Sequence, residues 1–542
     1  MLFTKGLLAA VVAYIAFLVY QSHSLDNKRN AIELAFLQSW RDYTRHGWDA
    51  DVYRPISKAK SNMYGSDSKP LGWIIVDSID SMLLMYNSSR KNQEHFKTEI
   101  LRVEDWVSTK LDYDIDVSVS LFETTIRMLG GLLSAFYLSD EMNIGDPSIY
   151  LAKATDLANR MLPAFENTAT GIPYSSINLH TGVSEKNHVD DGASSTAEFT
   201  TLQLEFKYLS AITGDDKYWR AVEKVYKPLY EENNLIDTYK GLAPIYVYPD
   251  TASFRGRNVR LGSRGDSFYE YLLKQYLQSH ETLYYDLYRK SMEGVKQHLV
   301  SKSSPNGLVY IGEREHGLFG PLSSKMDHLV CFMGGLLAMG ATEGLHISKA
   351  REQAFWDTKR EEDWILAEEL TYTCYQMYHQ IPSGLAPEIV VFNDQISSST
   401  HGWWKSEKGD FYVKPADAHN LQRPETVESI MFLYHLTKDQ KYRNWGWEIF
   451  QAFQKHSGQS CKPSDAECPY TCISNVLADP PTKADNVESF WLAETLKYLH
   501  LLFQDDIDLS SIVFNTEAHP FPIITPEQTK NGTLLNTGWS FD

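Results

Sequence analysis

Residues 122–139 read FETTIRMLGGLLSAFYLS. An acid stands at the start, and a run that is apolar most of the way round follows. A helix of that kind is buried on all sides rather than amphipathic. The same outline recurs in GWIIVDSIDSMLLMY from Gly72, STAEFTTLQLEFKYLSAITG from Ser195 and RGDSFYEYLLKQYLQSH from Arg264. It recurs again in MDHLVCFMGGLLAMG from Met326, RPETVESIMFLYHL from Arg423 and NVESFWLAETLKYLHLLF from Asn486. The acids of these segments are Asp77, Glu123, Glu198, Asp266, Asp327, Glu425 and Glu488. Two repeats agree further. Leu209 follows Glu198 at the spacing at which Leu436 follows Glu425, and TGDDKY from Thr213 answers TKDQKY from Thr437. Each unit ends in a more amphipathic helix, as at Lys217–Tyr230 and Leu283–Leu299. Buried helices paired with amphipathic ones at a steady period predict an inner ring wrapped by an outer ring, a solenoid or a closed toroid. If the inner helices run in one sense, their N-termini open on one face, which becomes a cup ringed with carboxylates. Helix capping would also place an acid at each start. It would not account for the Arg, His and Pro residues beside those acids.

The composition agrees with one large folded body. At 542 residues, a divisor of about 150 residues per domain suggests three or four domains. From about residue 30 onward, however, no linker rich in Gly, Ser or Pro interrupts the repeats. Hydrophobic residues are 43% and charged residues 22%, which excludes disorder and low complexity. Lys+Arg total 51 against 70 Asp+Glu, a net charge of −19, so a phosphate backbone would be repelled and nucleic acid is excluded as a partner. Aromatic residues at 13% suit a large core and equally suit sugar stacking.

Gly6 to Leu25 carries no charged residue. Its centre, GLLAAVVAYIAFLVY, approaches the ~20 residues of a spanning helix, and no small-x-small cleavage site follows it, so a retained anchor is expected over a cleaved signal. Lys5 before it and Lys28 and Arg29 after it leave orientation open. Asn87-Ser88-Ser89 and Asn531-Gly532-Thr533 are N-glycosylation sequons. The cysteines are Cys331, Cys374, Cys461, Cys468 and Cys472; no His pair stands near them at zinc-finger spacing.

Several motifs bear on chemistry. Asp112, Asp114, Asp116 and Glu123 fall at EF-hand spacing, but Val117 occupies the position that needs glycine, which argues against such a loop. Arg127 lies one helical turn after Glu123, inside an otherwise apolar helix, which favours a cavity-facing pair over a surface ion pair. Arg264 and Arg423 each precede a helix-start acid by two residues, Asp266 and Glu425. Phe490 and Glu494 lie one turn apart, with Phe490 either core or a stacking floor. FNTEAHP, from Phe514, reads by composition as a C-terminal loop. There is no G-x-S-x-G elbow, P-loop or HExxH. Carboxylate chemistry in an aromatic pocket remains, and glycoside hydrolysis is its common use.

The strings FETTIRMLGGLLSA, GSRGDSFYEYLLK, MDHLVCF, LAPE, RPETVES, ESFWLAETLKYL and FNTEAHPFP resemble the class I α-1,2-mannosidases, glycoside hydrolase family 47, and within them the fungal endoplasmic-reticulum branch. The likeness runs in order from about Glu33 to the C-terminus. It implies an all-α (α/α)7 barrel with minor β-hairpins over residues 33–542. Ahead of the barrel it implies a cytoplasmic tail 1–5, a type II signal anchor 6–22 and a stem 23–32, with the barrel in the lumen of the endoplasmic reticulum. It implies a calcium-dependent, inverting exo-hydrolase of α-1,2-linked mannose on high-mannose N-glycans. The chief product would be the eight-mannose form, made from the nine-mannose glycan by a monomeric enzyme in glycoprotein maturation and quality control. A catalytically weak lectin of the same fold is the alternative, and intact motif acids argue against it.

Roles carry over motif by motif. Glu123 matches the general acid, Glu425 the general base and Asp266 the third essential acid. An inverting base needs room for a water, with carboxyls roughly 6.5–9.5 Å apart. Thr516 matches the calcium ligand, through its hydroxyl and carbonyl oxygens. Glu198, Glu428, Glu488 and Glu517 would hold waters around the ion, with Glu388 and Glu494 beside them and near the sugar. Phe490 matches the residue under the terminal mannose, and Arg127, His328 and Arg423 match other pocket positions. Arg264 matches the arginine that favours removal of a single mannose. Cys331 and Cys374 match the family disulfide, and the fungal pattern implies Cys461–Cys468, leaving Cys472 free.

Overall fold

The computed structural model describes residues 25–65, 68–395, 400–458, 460–505 and 507–540. The expected tail and anchor, and the first residues of the stem, lie outside these. The chain is predominantly helical. Among the described residues seven inner helices are Ile79–Ser88, Gly130–Met142, Gln203–Thr213, Asp266–Ser279, Met333–Thr342, Glu425–Thr437 and Leu496–Leu502. Each packs against the next, and the last returns to the first, so the ring closes. Outer helices cover them: Gln93–Thr109, Pro147–Met161, Thr282–His298, Thr358–His379 and Gln440–His456 each pack on the preceding inner helix. Residues 25–46 form a further outer helix, where Ser39 Oγ accepts from Trp491 Nε1 at 3.1 Å.

Burial explains which helix goes where. Every residue of Met333–Thr342 is buried, whereas Gln440–His456 buries Tyr442, Gly446, Ile449, Phe450 and Phe453, one stripe at helical spacing. Gly334 and Gly335 let the inner helix approach its neighbours. A Cβ on Gly334 would lie 2.2 Å from Thr371 Oγ1, and one on Gly335 2.8 Å from the Phe432 ring. The amphipathic stretch expected as one helix over Lys217–Tyr230 is instead two, Lys217–Glu223 and Tyr226–Asn233. Pro228 is the cause, since it cannot donate to the Lys224 carbonyl and so breaks the ladder there.

Strands are short and antiparallel among the described residues, and they serve the cup. Ser118–Ser120, Ser194–Ser195 and Lys325–Asp327 each lead directly into an inner segment and deliver its acid to the same face. The segment read from composition as a C-terminal loop is a hairpin, Ile512–Phe514 paired with Pro520–Pro522. It plugs the ring: Phe514 lies 6.0 Å from Phe432 and 5.8 Å from Tyr498, and Phe521 5.4 Å from Tyr208. A buried turn needs its amides satisfied. Asn515 does this, its Oδ1 accepting from the amides of Glu517 (2.8 Å) and His519 (2.9 Å) while Nδ2 donates to the Ile126 carbonyl (2.8 Å).

Cys331–Cys374 and Cys461–Cys468 are disulfide-bonded, with Cα separations of 5.8 and 5.6 Å, and Cys472 is free and buried. Cys331–Cys374 ties two segments 43 residues apart, an inner segment and its outer partner. Replacing both cysteines with alanine is expected to cost about 4 kcal/mol. A thermal melt that shows no loss would contradict this.

Candidate active site

The open end of the ring holds a cavity of about 360 Å³. Its walls come from many repeats: Glu123 and Arg127, then Glu198, Arg264 and Asp266, then Arg423, Glu425 and Glu428, then Phe490 and Glu494. The floor is the tip of the plugging hairpin, Thr516 and Glu517. The acids are not caps. Ser120, rather than Glu123, is the N-cap of its turn, its Oγ accepting from the Glu123 amide at 3.2 Å. Two walls depart from α-helical winding. Thr124–Leu129 and Trp491–Thr495 are π-helical, a form concentrated at functional sites. The first follows Glu123 and carries Arg127; the second follows Phe490 and carries Glu494.

Arg127 organises one side. Its Nε donates to Glu123 Oε2 at 2.8 Å and its Nη1 to Glu517 Oε2 at 2.6 Å. Burial works against this charge, but Glu517 and Glu123 hold its pKa above the ordinary arginine value. Two cations approach the Phe490 ring, the Arg127 guanidinium at 5.9 Å and that of Arg423 at 5.6 Å from its centroid.

The opposite side is built around Glu425. Its Oε2 lies 2.7 Å from His328 Nδ1, and His328 Nε2 lies 3.0 Å from both Tyr378 and Thr426 hydroxyls. Burial alone would raise the Glu425 pKa; the His328 hydrogen bond and charge, with Arg423, outweigh it and hold the carboxyl below the usual range. Arg423 in turn donates to Glu388 Oε1 at 2.6 Å. His328, Glu388 and Glu488 therefore stand behind the lining rather than in it. Glu488 accepts from Asn486 Nδ2 at 2.7 Å.

The remaining acids are pushed the other way. Burial first, and neighbouring carboxylates second, raise Asp266 to about 7. Burial raises Glu198 to about 7 despite Arg264, and Glu428 to about 8 despite Lys274. Burial and Glu517 hold Glu494 well above its ordinary value. Once ionised, these carboxyls outnumber Arg127 and Lys274, and with the Thr516 hydroxyl they offer hard oxygen donors, so the floor suits a divalent cation, whose charge would favour their ionised form.

Some participants escape a reading by repeats. Glu270 lines the cavity one turn beyond Asp266 and pairs with Lys274. Beneath the floor, His519 bridges Asp80 Oδ2 (2.7 Å) and Asp77 Oδ1 (3.2 Å), and Asp80 accepts from Lys497 at 2.9 Å. All four are almost wholly buried. Asp77 is the acid of the first repeat, but spacing gives no hint of its cluster, because His519 and Lys497 come from distant segments. Of the EF-hand-like acids, Asp112 pairs with Lys69, and Asp114 with Arg160 (2.9 Å) and His180 (2.7 Å). Asn87 and Asn531 are exposed.

Residues 35–523 match the family model described as glycosyl hydrolase family 47. The chain belongs to glycosyl hydrolase family 47. Among family 47 relatives, it is 58% identical over 544 residues to the endoplasmic reticulum mannosyl-oligosaccharide 1,2-alpha-mannosidase of Saccharomyces cerevisiae, covering 98% of each chain. It is 50% identical over 523 residues to the mannosyl-oligosaccharide 1,2-alpha-mannosidase of Candida albicans, covering 95% of this chain and 86% of that one. The solved alpha-1,2-mannosidase from Trichoderma reesei superposes with a TM-score of 0.78 at 25% identity, covering 92% of this chain and 99% of that one. The family 47 fold, read as seven acid-led segments, thus has a solved counterpart over nearly the whole chain.

Proposed function

We propose that this family 47 chain is an inverting exo-α-1,2-mannosidase that trims high-mannose N-glycans, chiefly one mannose from the nine-mannose form. The observation that carries the reading is the shape of the cavity. Its floor is closed by Thr516 and Glu517 at the tip of the plugging hairpin, and carboxyls line the walls above that floor, a form that suits the end of a sugar chain. Curated relatives with 1,2-alpha-mannosidase names support the linkage.

In this mechanism Phe490 stacks under the terminal mannose. Glu123 protonates the glycosidic oxygen, and Arg127 fixes its carboxyl. Glu425, kept ionised by His328 and Arg423, removes a proton from a water that attacks the anomeric carbon from the opposite face. Asp266, which also lines the cavity, is the third essential acid. Thr516 would hold calcium by hydroxyl and carbonyl oxygens, with Glu198, Glu428, Glu494 and Glu517 holding water around it. Bound there, the ion supplies positive charge that offsets the carboxylates and oxygen coordination for sugar hydroxyls. The chain is read as a monomer on a type II anchor at residues 6–22, its barrel in the lumen of the endoplasmic reticulum. Exposed Asn87 and Asn531 and the two disulfides support a lumenal barrel.

The test is incubation of the chain with the nine-mannose glycan, with and without a chelator. Chelator-sensitive release of mannose is expected. Binding without release would point to a lectin, and neither would overturn the reading. Stability should follow the metal as well. A carboxyl whose folded pKa is raised binds its proton more tightly folded than unfolded, so its contribution is full below the unfolded value and is lost as pH rises. For Glu198 and Glu428 that window runs from 4.5 up to about 7 and about 8. The metal-free chain should therefore lose melting temperature across that window. Calcium at about a hundred times its Kd should restore roughly 2.7 kcal/mol, with most effect at the alkaline end.

A further inference from the structure

Arg264 stands at the cavity wall in a backbone conformation that disfavours it. Its φ is +74°, in the left-handed region where a side chain other than glycine is strained. Two bonds to its carbonyl hold it there, from the Ala197 amide (3.0 Å) and Ser195 Oγ (3.2 Å). The side chain itself is 38% exposed, and a long cation so placed would sample many rotamers.

It is caged instead. Asp190 Oδ2 accepts from Arg264 Nη1 at 3.1 Å, and the Asp190 side chain is only 11% exposed. The same oxygen accepts from Asn187 Nδ2 at 2.7 Å, and the Tyr246 hydroxyl also bonds to Asp190. The Tyr246 ring lies 5.1 Å from the guanidinium, within cation–π range. Tyr246 pairs in register with Ser195, the residue that also holds the Arg264 carbonyl. Three segments, the 187–193 loop, the Tyr246 strand and the Ser263–Gly265 turn, therefore converge to fix one cation. Asp190 does not line the cavity. Glu198 does, and it feels the Arg264 charge, so it is the carboxylate Arg264 would turn toward if Asp190 lost its own.

We propose that Asp190 is a specificity-determining positioning residue, which acts through Arg264 by holding the guanidinium, with Tyr246, at one fixed place on the cavity wall. The proposal rests on the reading of the cavity as a mannose site in which Arg264 limits trimming. An arginine that contacts one glycan branch discriminates only if it is preorganised; a mobile one would adapt to several branches.

The test follows the products of the nine-mannose glycan for full-length wild type, Arg264→Leu, Asp190→Asn, Tyr246→Phe and the Arg264→Leu/Asp190→Asn double variant. Asp190→Asn keeps the shape and removes the charge, so KM for the glycan should rise about three- to tenfold, with kcat within about twofold of wild type. Products smaller than the eight-mannose form should appear, as in Arg264→Leu, and the double variant should trim no further than Arg264→Leu alone. Tyr246→Phe should shift the profile in the same direction by less. Products confined to the eight-mannose form in Asp190→Asn, while Arg264→Leu broadens them, would overturn the proposal and leave the reading of Arg264 standing. An unchanged profile in Arg264→Leu itself would overturn both. A fall in kcat and melting temperature together, with no change in products, would make Asp190 structural and overturn the proposal.

Discussion

Glu123→Gln is expected to lower kcat by about 10²–10⁴-fold and to leave glycan binding measurable. The amide is the same size as the acid and can still accept from Arg127 Nε, now 2.8 Å from Glu123 Oε2. Arg127 also keeps Glu517, so the wall should not rearrange. What disappears is the proton for the leaving oxygen. A variant that loses turnover but binds the nine-mannose glycan near wild-type affinity fits an acid that works only in the transition state. Loss of binding together with turnover would assign Glu123 to architecture instead.

Glu425→Gln should cost a comparable factor, with a different signature. In the wild type, His328 and Arg423 keep this carboxyl ionised to a pH below its ordinary range. As pH falls through that depressed value, the base gains a proton and kcat/KM drops. Glu425→Gln should have low activity and no such acid limb. His328→Ala should move the limb upward, because the carboxyl then keeps its burial and loses its strongest stabilising partner. An acid limb that stays in place in His328→Ala would separate His328 from the base.

Much of the fold is legible because the repeated pattern and the ring depend on the same property. An inner helix must be apolar on every side, as in Met333–Thr342, and an outer one on one stripe, as in Gln440–His456. The acids could be read because strand-to-helix turns deliver them, and Ser120, Ser195 and Asp327 all end strands on one face. Other parts depend on contacts that local pattern does not encode. FNTEAHP is polar and turn-rich, yet it is buried, because Asn515 satisfies amides that water would otherwise need to reach. His519, Asp77, Asp80 and Lys497 meet only when the hairpin enters the ring. The π-turns after Glu123 and Phe490 leave no composition signal, since one extra residue per turn changes registry and not residue type. His328 was legible as a pocket residue, but its place behind Glu425, where its ring favours the ionised carboxyl, required the geometry.

Inversion requires water to attack from the face opposite the leaving group, with Glu123 and Glu425 on separate repeats of one cavity. Proton NMR of the first mannose released from an α-1,2-linked substrate, recorded before the anomers equilibrate, tests that claim most directly. Inversion at an α-linked mannose predicts β-mannose as the initial product. Initial release of α-mannose would mean retention through a covalent intermediate and would contradict it.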